Sequence, residues 1–212
     1  MPLPEIAAFL ENRDIGVSEE KLRQQKKIVA EKARELKRIE RKIDNRLQQL
    51  SDAQHSVCDE VKRNRLKACR LAWVRTSLKI RDFFDMEAPI RAQEGSRAEA
   101  VVFLGKVGVG ISAEDLRSGR FDEYDRIFLM LDEEDHFDGE TAILPEAPCV
   151  SIRFRGGHTD ARSSYQKLMS YIQDHGLEVG GFSREITMID YGITNDTEKF
   201  VTEISIPVLP RA

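Results

Sequence analysis

A heptad repeat of apolar residues constrains this chain more than any other feature. Residues 18–65 contain neither glycine nor proline, and every seventh residue within them is apolar over six successive repeats. Such a repeat is typical of a helix that pairs with another helix in a coiled coil. A helix of about 45 residues extends about 70 Å, so its apolar stripe needs a second helix or a second copy to cover it. The repeat positions are Leu22, Val29, Leu36, Ile43, Leu50 and Val57.

The repeat therefore predicts a coiled-coil dimerisation helix over residues 18–65 and a homodimer held by those six side chains. Ser18, followed by two glutamates, is predicted as the N-cap. Residues 21–50 carry seven more basic than acidic side chains. We interpret this excess as a solvated helix face. Contact with DNA phosphates is the less favoured alternative, because no aromatic residues or groove-entering motif accompany the charge.

Composition and motifs exclude several classes of protein. No apolar run of about 18 residues predicts a membrane span, and the N-terminus has no secretory pattern. The three cysteines, Cys58, Cys69 and Cys149, are widely spaced and form no CxxC motif, which favours the cytoplasm and argues against a disulfide framework. The four histidines have no metal-ligand spacing, and GKVGVG at 105–110 lacks the phosphate-loop pattern. We expect no metal and no cofactor.

Beyond residue 65 the pattern changes to short strands and helices. Apolar and alternating runs predict strands at 69–75, 98–104, 126–131, 149–154, 184–189 and 200–206. Helical spacing predicts helices at 82–94 and 160–175, with Gly176 as the C-cap of the second. The order is β-α-β-β twice, which indicates an α+β domain with a mostly antiparallel sheet and helices on one face. A crevice where the two halves meet would suit a small molecule.

Two stretches resemble a known family. MPLPEIAAFL at 1–10 and the long helix resemble the segment after the winged helix-turn-helix of MerR-type regulators, and residues 68–208 resemble the gyrase-inhibitor-like effector-binding domain of the multidrug-responsive members. The matching motifs are VFLGKVG at 102–108, YQKLMSYI at 165–172, REI at 184–186 and FVTEISIPV at 200–208.

This resemblance divides the chain into three parts. Residues 1–17 would be a remnant of the DNA-binding domain, 18–65 the dimerisation helix and 66–212 the effector-binding domain. The DNA-binding head of such regulators would precede residue 1. DNA contact is therefore expected only through that head in a full-length protein.

The resemblance also implies a site for a hydrophobic cation. Glu185 corresponds to the family's buried, cation-receiving carboxylate, and Phe200, Thr187, Trp73 and Phe103 are candidate lining residues. A buried anion is costly unless it is paired, and a lipophilic cation would pair with it while aromatic faces add cation–π attraction. The alternatives are an exposed Glu185, and core roles for Trp73 and Phe103. Small residues at Gly156 and Ala161, where the family has bulkier ones, predict a wider pocket.

We therefore predict the ligand-sensing and dimerisation portion of a MerR-family transcription regulator rather than an enzyme. The alternative is a small-molecule hydrolase of the gyrase-inhibitor-like family that uses Glu185 as general base. The long helix favours the regulator, because an enzyme does not need it.

Overall fold

The computed structural model describes residues 15–74, 107–132, 135, 137 and 139–211. The chain divides into two compact units, Met1–Asn45 and Arg46–Ala212. The helix predicted at 82–94, the strand predicted at 98–104 and Phe103 lie outside the described residues. No helix in the described ranges is both long enough and apolar enough to cross a membrane.

The described part of the first unit is entirely helical. This part belongs to α1, Ile15–Gln54. The repeat residues of the first unit, Leu22, Val29, Leu36 and Ile43, are exposed, and Leu36 is 66% accessible. Ser18 was wrongly predicted as the N-cap, because α1 begins three residues earlier.

The prediction that the helix continues to residue 65 is also wrong. Helix α1 ends at Gln54, and Val57 lies beyond it and is exposed. Asp59 adopts a positive φ of 66°, and its N–H donates to the carbonyl of Arg153 at 2.7 Å. The chain then enters the sheet as a strand, because pairing with a distant strand satisfies its backbone groups as well as a helix would.

The second unit is built on a nine-stranded sheet with the order β1-β6-β9-β8-β3-β4-β2-β5, in which β7 also pairs with β9. Every strand pair is antiparallel. The strands are β1 Lys62–Leu66, β2 Cys69–Val74, β3 Val107–Gly110, β4 Arg126–Leu131, β5 Thr141–Leu144, β6 Ala147–Arg155, β7 Leu177–Val179, β8 Arg184–Ile189 and β9 Val201–Pro210. Among the described residues that follow α1, the α-helices are α2 Ala113–Arg117 and α3 Arg162–Asp174.

The two halves of the sheet meet where β3 pairs with β8. Strands β2, β3 and β4 come from the first half, and β6, β8 and β9 come from the second. At the junction, Val109 lies opposite Glu185. The predicted α+β class and mostly antiparallel sheet are confirmed, and Gly176 has the positive φ expected after a helix.

Helix α3 closes the core of this unit. Its residues Tyr165, Leu168 and Ile172 are buried at helical spacing and belong to one cluster with Ile152 of β6 and Ile204 of β9. Burial of each large apolar side chain contributes about 1.5–3 kcal/mol. Helix α3 therefore covers the sheet face formed by β6 and β9.

A smaller cluster attaches the end of α1 to the sheet. Ala53 is fully buried against Met188 and Ile189 of β8 and Val201 of β9, and Leu50 packs on the same group. Leu50, predicted as a dimer contact, thus contributes to the packing of its own chain. Strand β8, which carries Glu185, thus also packs against the last turns of α1.

Candidate ligand-binding site

The carboxylate of Glu185 lies at the junction of the two half-sheets and is completely buried, with 0% of the residue accessible. It lies on β8, which has neighbouring strands on both sides, β9 and β3. The alternative of an exposed strand residue is therefore excluded. Burial of an ionised carboxylate requires hydrogen-bond donors or a positive charge nearby.

Two side chains converge on one oxygen of this carboxylate. The hydroxyl of Tyr124 donates to Oε1 of Glu185 at 2.8 Å, and Nδ1 of His158 lies 2.5 Å from the same oxygen. The His158 side chain is only 6% accessible. The second oxygen, Oε2, is buried and has no hydrogen-bond partner among the described residues. A buried acceptor without a donor typically costs about 1–3 kcal/mol.

Two tyrosines keep their protons in this environment. Burial raises the pKa of Tyr124, and the nearby charge of Glu185 raises it further. Burial and the Glu185 charge likewise raise the pKa of Tyr165, whose hydroxyl lies 2.9 Å from Oγ of Ser183. That Oγ accepts from the N–H of Ile111 at 2.9 Å. Protonated phenols are hydrogen-bond donors, so they favour an anion beside them.

A turn between β6 and α3 places His158. Gly156 has φ +120°, its N–H donates to the carbonyl of Phe200 at 3.1 Å, and its carbonyl accepts from Thr202 Oγ1 at 2.7 Å. The N–H of Gly157 donates to the carboxylate of Asp160 at 3.0 Å. These bonds attach the turn to β9, so that the imidazole points at Glu185.

Gly156→Ala should destabilise the protein by about 1–3 kcal/mol. A Cβ at this position would lie 2.5 Å from Oδ2 of Asp160, and the positive φ is strained for alanine. Urea unfolding would measure the loss. The matched control is Gly157→Ala, where an added Cβ meets only Phe200 at 3.8 Å. Equal midpoints for the two variants would contradict this account of the turn.

A cavity of about 280 Å³ opens beside Tyr124 and His158. Its wall includes the carboxylates of Asp122 and Glu123, and Arg162, which forms an ion pair with Asp122. Phe121, also in the wall, stacks on Tyr165 with ring centroids 5.6 Å apart. The cavity thus combines an aromatic surface with an acidic rim.

A second cavity, of about 380 Å³, lies elsewhere in the same unit. It is bounded by the end of α1, β1, β6 and β9, and its lining includes the ion pair of Arg153 and Glu203 at 2.7 Å. None of the predicted ligand-binding residues lines it.

The predicted ligand-binding residues do not all lie together in the structure. Thr187 lies near Glu185 in the site, with Oγ1 3.4 Å from Nε2 of His158. Phe200 is buried beneath the His158 turn and contacts Tyr191 edge-on. Trp73 packs in an aromatic cluster with two phenylalanines, Phe128 and Phe182.

Neither of the two small residues, Gly156 and Ala161, is among those that line the cavity beside Tyr124 and His158. Gly156 provides the positive φ of the turn, and Asp160 occupies the space where its side chain would be. Ala161 is buried in the main core. The wider pocket stays a prediction.

Sequence reasoning missed several polar residues of the site. Tyr124 lies in a segment rich in acidic residues and was not recognised as a site residue. His158 was considered only as a possible metal ligand. The Gly156–Gly157 pair before His158 was the available signal, since such a pair marks a sharp turn that can aim the next side chain. Across the described part of the chain, no group of three or more His, Cys, Asp or Glu residues could hold a metal ion.

A buried carboxylate between two halves of an antiparallel sheet, beside an aromatic cavity, defines a small-molecule-binding domain. The model of the GyrI-like small molecule binding domain family matches residues 28–209. The chain therefore belongs to the GyrI-like family.

Solved structures share this fold at low sequence identity. The crystal structure of the EcmrR C-terminal domain has a TM-score of 0.50 and 16% identity, over 71% of this chain and 98% of that one. EcmrR in a complex with DNA has a TM-score of 0.50 and 14% identity, over 99% of this chain and 78% of that one. A hydrolase from Listeria innocua has a TM-score of 0.48 and 14% identity, over 73% of this chain and 94% of that one. No curated protein matches the chain.

Proposed function

We propose that this chain is the ligand-sensing and dimerisation portion of a MerR-type transcription regulator, and that its effector is a hydrophobic cation. The observation that supports the effector class is the carboxylate of Glu185, fully buried with Oε2 unpartnered among the described residues. A cation that enters from the adjacent cavity gains a desolvated charge partner.

The surroundings of Glu185 suit a cation with an apolar body. Glu123 adds an acidic side chain to the cavity wall beside the ion pair of Asp122 and Arg162, while Phe121 and Tyr124 contribute aromatic rings. Cation–π contact with an aromatic face contributes about 0.5–2 kcal/mol. A neutral ligand of the same shape would gain the apolar contacts but not the charge pairing.

The long helix supports a regulatory role. Four of its repeat residues are exposed: Leu22, Val29, Leu36 and Ile43. A second copy of the helix would cover them. The structure of EcmrR in complex with DNA aligns with 99% of this chain, which supports a role linked to DNA. DNA would be contacted through a separate head, as the resemblance to MerR-type regulators implies.

Titration of the wild-type chain with a matched pair of ligands tests the effector class. Tetraphenylphosphonium is a lipophilic cation, and triphenylphosphine oxide is a neutral molecule of related shape. Calorimetry should show the cation binding at least about 10-fold more tightly, a difference of about 1.4 kcal/mol. Equal affinities, or no binding of the cation, would reject a cationic effector.

The second candidate function is a small-molecule hydrolase. The contact between His158 and Glu185, with Tyr124 as a donor on the same oxygen, is a polar arrangement that could serve general acid–base chemistry. Turnover of a reactive ester or a strained ring by the wild type, abolished in Glu185→Gln, would favour this candidate over the regulator.

A further inference from the structure

One oxygen of Glu185, Oε1, is already in contact with a basic side chain of the protein. Nδ1 of His158 lies 2.5 Å from Oε1 of Glu185, and both side chains are almost inaccessible to water. An imidazolium at this distance from a carboxylate forms a charge-assisted hydrogen bond.

We propose that His158 competes with the ligand for Glu185: its imidazolium pairs with Glu185 before a ligand binds, and a cationic ligand takes over this carboxylate by displacing it, with release of one proton. This inference rests on the proposed function, because it requires a cationic effector. The proton leaves the imidazole for the solvent, so the net charge of the site is the same before and after binding.

Charged and titratable groups surround His158 on several elements. On β8 and just after it lie Glu185 and Asp190, and the field of Asp190 reaches the imidazole. Tyr124, on the segment before β4, is neutral and donates to Glu185 rather than to the ring. Tyr165 of α3 is neutral as well.

Two basic groups, Arg46 and Arg162, lie near these carboxylates among the described residues. Arg46 of α1 is the basic group that acts on Asp190 from the helix side, and burial raises the pKa of Asp190 against this attraction. At the cavity wall, Arg162 is paired with Asp122, and Glu123 adds a further carboxylate. Carboxylates thus outnumber cations around the imidazole.

The turn that carries His158 joins the sheet to the cavity. The carbonyl of Gly156 accepts from Thr202 of β9, and the N–H of Gly157 donates to Asp160 within the turn. His158 is also among the residues that line the cavity beside Tyr124, so we expect a displaced imidazole to move towards this cavity. Thr187 contacts the ring only at 3.4 Å, a weak hydrogen bond.

Displacement of a protonated histidine makes cation binding depend on pH. Histidine is the side chain whose charge normally changes near neutrality. At low pH the imidazolium competes with the ligand, so affinity is weak. As the pH rises the competitor loses its charge, and affinity should increase by up to about tenfold per pH unit before it levels off.

Calorimetry with tetraphenylphosphonium tests the proposal in two buffers of different ionisation enthalpy. At about pH 6, where histidines are largely charged, the wild type should release close to one proton per bound cation. His158→Gln should release none, and should bind the cation at about pH 6 as tightly as the wild type does at about pH 8. The matched control is His175→Gln at the exposed end of α3, which should retain the proton release.

The outcomes separate this inference from the proposed function. Cation binding that depends on Glu185 but releases no proton from the wild type would overturn the role of His158 and leave the effector class standing. Absence of cation binding in both proteins at every pH would overturn both proposals. Proton NMR of the wild-type histidine rings, which needs no folded variant, should show one imidazole losing its proton when the cation is added.

Discussion

Glu185→Gln should weaken binding of tetraphenylphosphonium by about 30- to 1000-fold, or about 2–4 kcal/mol. Glutamine keeps the volume of the side chain and removes its charge, so a cation that enters the buried site finds no counter-ion. The neighbouring apolar residues are unchanged, so the fold should survive. Tyr124 can still donate to the amide oxygen at the position of Oε1.

Calorimetric titration of both proteins at the same pH measures this effect. Glu178→Gln on β7 is the control, because Glu178 is exposed and lies outside the cavity lining. It should bind the cation as the wild type does. Triphenylphosphine oxide should bind Glu185→Gln and the wild type within a few-fold of each other. Equal cation affinities for Glu185→Gln and the wild type would remove Glu185 from the site.

The wild-type chain should be a homodimer, and Ile43→Lys should convert it into a monomer. Ile43 lies within the exposed apolar stripe of α1. A lysine there would place a charge in the apolar seam between two helices, where its burial without a partner is costly. Light scattering should give about twice the 24.2 kDa mass for the wild type and the single mass for the variant.

Asn45→Lys is the matched control for this experiment. It introduces the same side chain two positions along the helix, away from the repeat and at an exposed site. It should leave the dimer intact. A wild-type monomer at tens of micromolar, or equal dissociation of the two variants, would show that the stripe has another partner.

The strand that carries the carboxylate of Glu185, β8, also packs against the end of α1. Met188 and Ile189 of β8 pack on Ala53 near the end of the helix, while Glu185 of the same strand faces the site. A buried charge accompanies this contact: burial lowers the pKa of Arg46, and the charge of Asp190 opposes that shift. The pocket and the helix end are therefore connected by direct packing.

Elements with strong local patterns were predicted closely from the sequence. Strands β4 and β8 were predicted with correct bounds, since short segments rich in apolar and β-branched residues favour a buried strand. Helix α3 was predicted within about two residues because its apolar spacing and Gly176 are local signals. The resemblance also identified Glu185, whose complete burial the structure then showed.

Tertiary structure alone decided where α1 ends and what contacts Glu185. The heptad repeat continues to Val57, yet the chain leaves the helix after Gln54, because β1 pairs with β6 almost ninety residues away. Tyr124 and His158 are 61 and 27 positions from Glu185. Periodicity reports which face of an element is buried, whereas contacts at such separations depend on how the strands are ordered in the sheet. The sequence by itself therefore determined the elements with strong local patterns, and the resemblance pointed to Glu185, whereas only the packed sheet determined the partners of this carboxylate.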